Sequence, residues 1–281
     1  MTAATMQKET NNYKDIKVQN LVNACDDYET KLEVRNKVTY ARMIDRTKFI
    51  WNNNPTMLGF TDDGGKPFVI DTELGRIYTI VDGELVPDDL KKGEKKKNGL
   101  KYLSGFKMDP GINYYEPTGR LVKKEPDLHG IIMLLRDMRT FIKLSCETEL
   151  DKLVCANHMN SCELDSVYSN LEWCTEGENR AHGNVAKSLR YWYGDRINDK
   201  VYKRDEEYNR LKFKLSYKYI EEFDRTYGTK WHGGHGSFTT KKVNKVAEKD
   251  DVDAFLRFLW SKRYISAELY ENCIYGDMYN I

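Results

Sequence analysis

Residues that could perform chemistry are concentrated between Asn157 and His182. Asn157 is followed directly by His158, and Asn170 and Asn179 come thirteen and twenty-two residues after Asn157. An imidazole with an unperturbed pKa of about 6.5 can take a proton from water near neutral pH. A divalent cation such as Mg²⁺ prefers oxygen ligands and needs only one or two protein groups beside phosphate oxygens. Asn carbonyls qualify, although they are weaker ligands than carboxylates. These residues indicate metal-assisted cleavage of a phosphodiester bond.

The elements that would position these side chains can be predicted from local patterns. Residues 153–156 form a short apolar run, which predicts a buried strand that delivers Asn157 and His158 at its end. Residues 159–169 are polar and predict a loop. Residues 171–174 alternate between apolar and polar and predict a second strand.

A helix is predicted to follow the second strand. Thr175 and Glu178 have the spacing of a capping box. Asn179 then lies in the first helical turn, and His182 lies one turn further along the same face. The hairpin and the helix together are expected to bring Asn157, His158 and Asn179 into one site.

The segment resembles the HNH endonucleases of the ββα-metal (His-Me finger) superfamily, in particular those of phages and the homing type. The matching positions are Asn157-His158, Asn170-Leu171-Glu172-Trp173, Thr175, Glu178-Asn179 and His182. The resemblance implies that His158 is the general base, that Asn157 and Asn179 are metal ligands, and that Asn170 holds the loop so that the imidazole faces the attacking water. His182 matches a frequent family position and is a second-tier site residue without an assigned role.

The cofactor and substrate follow from the same resemblance. It implies Mg²⁺, with Mn²⁺ as a substitute, and double-stranded DNA cut to 5′-phosphate and 3′-hydroxyl ends. One such site cuts one strand, so double-strand cleavage requires a homodimer or two successive events, and the sequence leaves both open. An RNA-directed nuclease also stays open.

Two positions depart from the family pattern. Asn160-Ser161 stand where the family has Asp-Gly, and the Asn pair of the loop is replaced by acidic and small residues. The alternative to an active enzyme is therefore a catalytically inactive HNH-fold factor that binds DNA or protein and regulates it.

Two upstream segments carry a second resemblance. Phe68 to Tyr78 is similar to a strand–turn–strand module with a Gly-Arg turn that precedes HNH domains in homing endonucleases. Leu128 to Leu135 is similar to a helix of the same group. The family resemblance covers residues 66 to 185, and both flanks are unmatched.

The expected fold class is α+β, with a ββα-metal nuclease core, a β-rich upstream module and mainly helical flanking regions. We expect four regions. They are an N-terminal helical region (1–60) with a disordered start, a β-rich module (61–124) with candidate DNA contacts, the HNH nuclease core (125–190), and a C-terminal helical region (191–281) with candidate DNA binding.

Spacings of three and four between apolar residues predict a helix from Tyr208 to Tyr227 with one aromatic face. Its opposite face is basic, and a glycine-rich loop further on leads to more lysines, although a solvated face and a flexible turn are the alternatives. The candidate DNA contacts are Lys203, Arg204, Arg210, Lys214, Lys241 and Lys242.

The distribution of charge indicates which regions of the chain could contact DNA. Its 281 residues carry a net charge of +1, which excludes a strongly basic nucleic-acid binder as a whole. Residues 125–190 hold seven basic and eleven acidic side chains, whereas residues 196–249 hold fourteen and eight. Phosphate contacts are therefore expected from the neighbours of the nuclease segment.

The remaining composition argues against membranes and secretion. The first thirteen residues are polar and do not resemble a signal peptide. The longest apolar run is far short of the ~20 residues that span a bilayer. We therefore expect an intracellular protein without a membrane partner, acting in the host cytoplasm if it is phage-encoded. Six Cys without a C-x-x-C pair indicate small apolar residues, and a structural zinc site is not expected.

Overall fold

The computed structural model describes residues 44–62, 64–87, 114–115, 121–122, 127–147, 154–203, 206–231 and 246–276. These ranges mix helices and strands, which confirms the predicted α+β class. Three segments lie outside them: the part of the predicted N-terminal helical region before residue 44, the lysine-rich residues 91–97 of the β-rich module, and the glycine-rich loop after Trp231.

The chain divides into two compact units, and the division falls within two consecutive strands. The first unit comprises the chain up to Ala156 together with Glu163–Trp173. The second comprises Asn157–Cys162 and the chain from Cys174 onwards. The predicted nuclease core of residues 125–190 therefore contributes to both units.

A five-stranded sheet forms the centre of the first unit. Each strand pairs antiparallel with the next one along the chain, because the turns between them are short. The strands are β1 (Phe49–Ile50), β2 (Met57–Thr61), β3 (Pro67–Asp71), β4 (Arg76–Val81) and β5 (Glu84–Pro87). β3, β4 and their turn agree with the strand–turn–strand predicted for residues 68–78.

A helix packs on this sheet. α1 (Leu128–Glu147) begins with a run whose residues 131–135 are all buried, as expected for a helix that is apolar all round. They share one core with Phe60, Phe68 and Ile70, each at most 1% exposed. Burial of each large side chain contributes about 1.5–3 kcal/mol. Two short strands, β6 (Tyr114–Tyr115) and β7 (Leu121–Val122), pair with each other before the helix.

The two strands at the division form a sheet of their own. They are β8 (Val154–His158) and β9 (Leu171–Thr175), and α2 (Glu176–Tyr193) follows β9 directly. The strand, loop, strand and helix start predicted for residues 153–182 are confirmed within two residues at each boundary, and the end of the predicted loop forms a 3₁₀ turn (Tyr168–Asn170).

The second unit continues with a hairpin and three helices. They are β10 (Asn198–Lys203), β11 (Glu206–Leu211), α3 (Tyr217–Tyr227), α4 (Lys249–Ser261) and α5 (Ala267–Tyr275). Their apolar faces and that of α2 form a second core, which includes Leu189, Ile220, Phe223 and Phe255.

The helix predicted from Tyr208 to Tyr227 is wrong in its first half. Tyr208 lies in β11 and pairs with Val201 of β10. The helix begins only at Tyr217, where the Ser216 side chain caps it by accepting a hydrogen bond from the Lys218 backbone. The spacing of apolar residues carries no information about β10, whose pairing makes residues 206–211 a strand.

None of the helices in the described ranges combines the length and the apolar character needed to cross a lipid bilayer.

Candidate functional site

The start of α2 is built as its sequence predicts. The Thr175 hydroxyl accepts a hydrogen bond from the Glu178 backbone at 3.3 Å, and the Glu178 carboxylate accepts one from the Thr175 backbone at 2.6 Å. This reciprocal capping box satisfies amide groups that a helix start would leave unbonded. Asn179 follows in the first turn and is half-buried.

Asn157 and His158 end β8, as predicted, and both are buried. Asn157 is 3% exposed and His158 is 6% exposed. The Nε2 atom of His158 makes no hydrogen bond with the described residues, although the residue does interact with its surroundings through other contacts.

Buried polar side chains are frequent in the stretch of chain that begins with this pair. Thirteen polar or charged side chains are buried in the described part of the chain, and eight of them lie between Asn157 and Ser188. Buried polar groups are costly unless they are hydrogen-bonded, so such a concentration is typical of a functional site or of a polar network that specifies the fold.

A tight turn follows His158. The Ser161 backbone amide donates to the His158 carbonyl at 2.8 Å, and the Cys162 amide donates to Asn160 Oδ1 at 2.9 Å. Ser161 has φ +55°, in the left-handed region that favours glycine. Ser161 stands where the resembled family has glycine, and its backbone has the conformation that favours glycine.

The carbonyls of Met159, Asn160 and Ser161 in this turn accept hydrogen bonds from other residues of the same unit. Met159 O accepts hydrogen bonds from the Leu215 amide at 2.9 Å and from His182 Nε2 at 3.2 Å. Asn160 O accepts from the Leu211 amide at 2.9 Å. Arg190, two turns beyond His182 on α2, donates to Ser161 O at 3.3 Å.

His182 is identified by these contacts as a residue that holds the turn. The pKa of His182 is lowered to about 4, mainly because burial disfavours the charged ring and also because of the nearby charge of Arg190, while hydrogen bonding of the ring to the backbone of Met159 and Leu215 opposes the shift. The ring is therefore neutral at pH 7. Because a carbonyl can only accept, the ring proton is on Nε2. His182 is thus a donor that fixes the residue after His158, and it is not suited to act as a base.

Asn179 lies on the same helix as His182. It lies three residues before His182, which places the two side chains one helical turn apart on the same face. The turn after β8 is therefore bonded to α2 at His182 and Arg190, and Asn179 lies on the same helix one turn before His182.

Asn170 has a contact that suits the role of holding a loop. It ends a short 3₁₀ turn in the first unit and is 1% exposed. Its Nδ2 atom donates to the Asp165 carbonyl at 2.9 Å, and so it closes the segment between Asp165 and Asn170.

The candidate DNA contacts that were predicted on the basic face of one helix do not lie on a helix where the structure describes them. Lys203 ends β10, Arg210 lies in β11 and Lys214 lies in the connection from β11 to α3. The Arg210 guanidinium is 3.3 Å from an Asp199 carboxylate oxygen. The other three candidates lie outside the described residues; they are Arg204, Lys241 and Lys242.

Two features missed from the sequence are Arg190 and the segment from Leu211 to Leu215. The spacing of Arg190 from His182 on α2 was a usable signal, because residues eight apart share a helix face. The other contacts come from backbone amides, which carry no sequence signal.

The donor chemistry for a metal rests on amide oxygens. Among the described residues no cluster of three or more His, Cys, Asp or Glu side chains could hold a metal ion. Asn157 and Asn179 provide neutral oxygen donors, which fit a hard cation whose shell is completed by water and phosphate.

Comparisons with protein-family models, with curated proteins and with solved structures gave no match to this chain.

Proposed function

We propose that this chain is a metal-dependent HNH endonuclease of the ββα-metal type, encoded by a phage or mobile element, that hydrolyses phosphodiester bonds in double-stranded DNA. The single observation that carries the proposal is the order of the elements that hold the candidate residues. A strand ends in Asn157 and His158, and a capped helix that follows a second strand presents Asn179 in its first turn.

In this mechanism His158 accepts a proton from the attacking water. Asn157 and Asn179 would hold Mg²⁺, or Mn²⁺ in its place, and the bound cation would offset the charge that develops on the phosphate. Asn170 holds the loop that precedes β9 through its bond to Asp165. His182 donates to Met159 and fixes the turn next to the base.

The burial of His158 sets a condition on this mechanism. A general base must come within hydrogen-bond reach of the water that it activates. At 6% exposure His158 meets little solvent, so DNA or metal binding has to uncover it before cleavage. Activity therefore requires a local rearrangement at the end of β8.

The same burial favours a second candidate function, a catalytically inactive HNH-fold factor that binds DNA or protein and regulates it. In such a factor the buried polar side chains of this segment would specify the fold only. The substitution of Asn160-Ser161 for the family's Asp-Gly is in line with a site that is no longer under catalytic constraint.

Incubation of supercoiled plasmid with the protein in Mg²⁺, Mn²⁺ or EDTA separates the two. We expect nicking or linearisation that requires the metal and is lost in EDTA. His158→Ala should lose about 10²–10⁴ in rate, as general bases typically contribute. Asn179→Ala should lose activity that higher Mn²⁺ partly restores.

Asn184→Ala is the matched control, because Asn184 lies on α2 but is exposed. It should cleave like the wild type. Circular dichroism and gel-shift assays check that His158→Ala folds and binds DNA. DNA binding by the wild type without any metal-dependent nicking would establish the regulatory alternative, and cleavage at the wild-type rate by His158→Ala would remove this residue from the mechanism.

A further inference from the structure

The turn between β3 and β4 is fixed by its own side chains. The carboxylate of Asp71 accepts hydrogen bonds from the backbone amides of Glu73 and Leu74, both at 3.0 Å. Asp71 also pairs with Arg76 across the strands. Gly75 completes the turn with φ +60°, which glycine adopts at little cost. The turn therefore offers a rigid surface rather than an adaptable one.

Thr72 anchors this turn to the sheet. It is fully buried, and both its amide and its hydroxyl donate to the Thr56 carbonyl at 3.0 Å. Its own carbonyl accepts a hydrogen bond from the Tyr168 amide at 2.7 Å. The turn is thus bonded directly to the loop that carries Asn170.

Gly75 packs against the same loop more closely than any other residue could. A Cβ atom at this position would lie 2.9 Å from the carbonyl carbon and oxygen of Ser166, and 3.2 Å from the Val167 amide nitrogen. These are backbone atoms and cannot swing aside. The absence of a side chain at Gly75 is therefore what allows the loop to rest on the turn.

Helix α1 supports the loop at two further places. The Arg136 guanidinium lies 4.7 Å above the Tyr168 ring and also donates to the Pro55 carbonyl at 2.9 Å. The Trp173 indole donates to the carbonyl of Asp137 at 3.0 Å, at the residue where α1 departs from helical geometry. The segment is held before and after Asn170.

We propose that the β3–β4 turn, residues 72–75, is a positioning element for the loop of residues 165–170, and that Gly75 is a positioning residue for cleavage. The proposal rests on the proposed function for its catalytic consequence. Gly75 touches no reacting atom. It sets where Asn170 is held, and displacement of a supporting segment by ~1 Å can cost on the order of 10²-fold in rate.

The test compares Gly75→Ala with Gly83→Ala. Gly83 lies in the next turn of the same sheet with φ +84°, and a Cβ there would meet no atom within 4 Å. Both variants place alanine in a left-handed conformation, so they share that strain. Only the new Cβ atom of Gly75→Ala would collide with the loop of residues 165–170. We expect hydrogen exchange at the Tyr168 amide to accelerate by at least about tenfold in Gly75→Ala, and to stay near wild type in Gly83→Ala.

The catalytic arm is single-turnover plasmid cleavage in Mg²⁺. Gly75→Ala should lower the cleavage rate at saturation by about 10- to 100-fold while the DNA concentration for half-maximal rate changes little. Gly83→Ala should stay within about twofold of the wild type. Loss of DNA affinity instead of rate in Gly75→Ala would contradict a positioning role.

A second pair keeps the test decisive if Gly75→Ala does not fold. Tyr168→Leu removes the ring beneath Arg136, whereas Tyr168→Phe retains it. Tyr168→Leu should cleave slowly and Tyr168→Phe at the wild-type rate. If the wild type cleaves DNA, equal rates in these two variants would overturn the proposal.

The two arms separate failure of this proposal from failure of the proposed function. If the wild type does not cleave DNA, selective loss of Tyr168 protection in Gly75→Ala still supports the positioning contact. Equal exchange at Tyr168 in the two glycine variants refutes the contact whether or not the protein is a nuclease.

Discussion

Replacement of Ser161 is expected to stabilise the protein, because serine is poorly suited to its position in the turn after His158. Its backbone has φ +55°, which costs a side-chain-bearing residue about 1–2 kcal/mol. Its Oγ atom is buried and makes no hydrogen bond with the described residues. An unbonded buried hydroxyl costs about 1–3 kcal/mol, with the lower end where the turn can relax.

Two substitutions separate these costs. Ser161→Ala removes the hydroxyl but keeps the Cβ atom, and should raise the free energy of unfolding by about 1 kcal/mol. Ser161→Gly also relieves the backbone strain. Part of this gain, about 0.5–1 kcal/mol, is lost because glycine makes the unfolded chain more flexible. The net expectation for Ser161→Gly is a gain of about 1.5–2 kcal/mol.

Urea unfolding followed by circular dichroism measures both variants against the wild type. Arg263→Gly is a control, since Arg263 is exposed and has φ +62°, so that it reports relief of backbone strain alone. Ser161→Gly that is less stable than Ser161→Ala would show that the turn is not left-handed, and the reasoning would be refuted. Because Ser161 adjoins the proposed base, cleavage by both variants should also be recorded.

Three further predictions concern the same region. The pKa of His182 is lowered from 6.5 to about 4 in the folded protein. The stability that the neutral ring contributes is therefore complete above pH 6.5 and is lost as the pH falls towards 4. Urea unfolding between pH 7 and pH 4 should show a loss of about 3 kcal/mol in the free energy of unfolding, and His182→Gln should not show this loss. Thr175→Ala removes the capping hydroxyl and should lower the unfolding free energy by about 0.5–2 kcal/mol, whereas Thr226→Ala, at an exposed helix site, should change it by less than about 0.5 kcal/mol. Trp173→Phe keeps an aromatic ring against Phe141 but leaves the Asp137 carbonyl without its donor, and should cost about 1–3 kcal/mol in the same assay.

The elements around the candidate site could be predicted because their causes are local. The apolar residues before Asn157, the alternation of residues 171–174 and the Thr175–Glu178 pair each act within a few positions of chain. Alternation favours a strand and reciprocal capping favours a helix start through interactions within a few residues of chain. The same reasoning failed for residues 208–216, because spacing was compatible with a helix while pairing with β10 made β11 a strand.

The amino-acid sequence by itself determined which residues form the strand end, the second strand and the capped helix, and hence which elements carry Asn157, His158 and Asn179. Only the tertiary structure decided that His158 is buried, that the turn after it is bonded by Leu211 and Leu215, and that Gly75 rests on Ser166. The physical reason is that these contacts join backbone groups distant along the chain. Every residue except proline has the same backbone donor and acceptor, so the side chains carry no sign of which ones will meet.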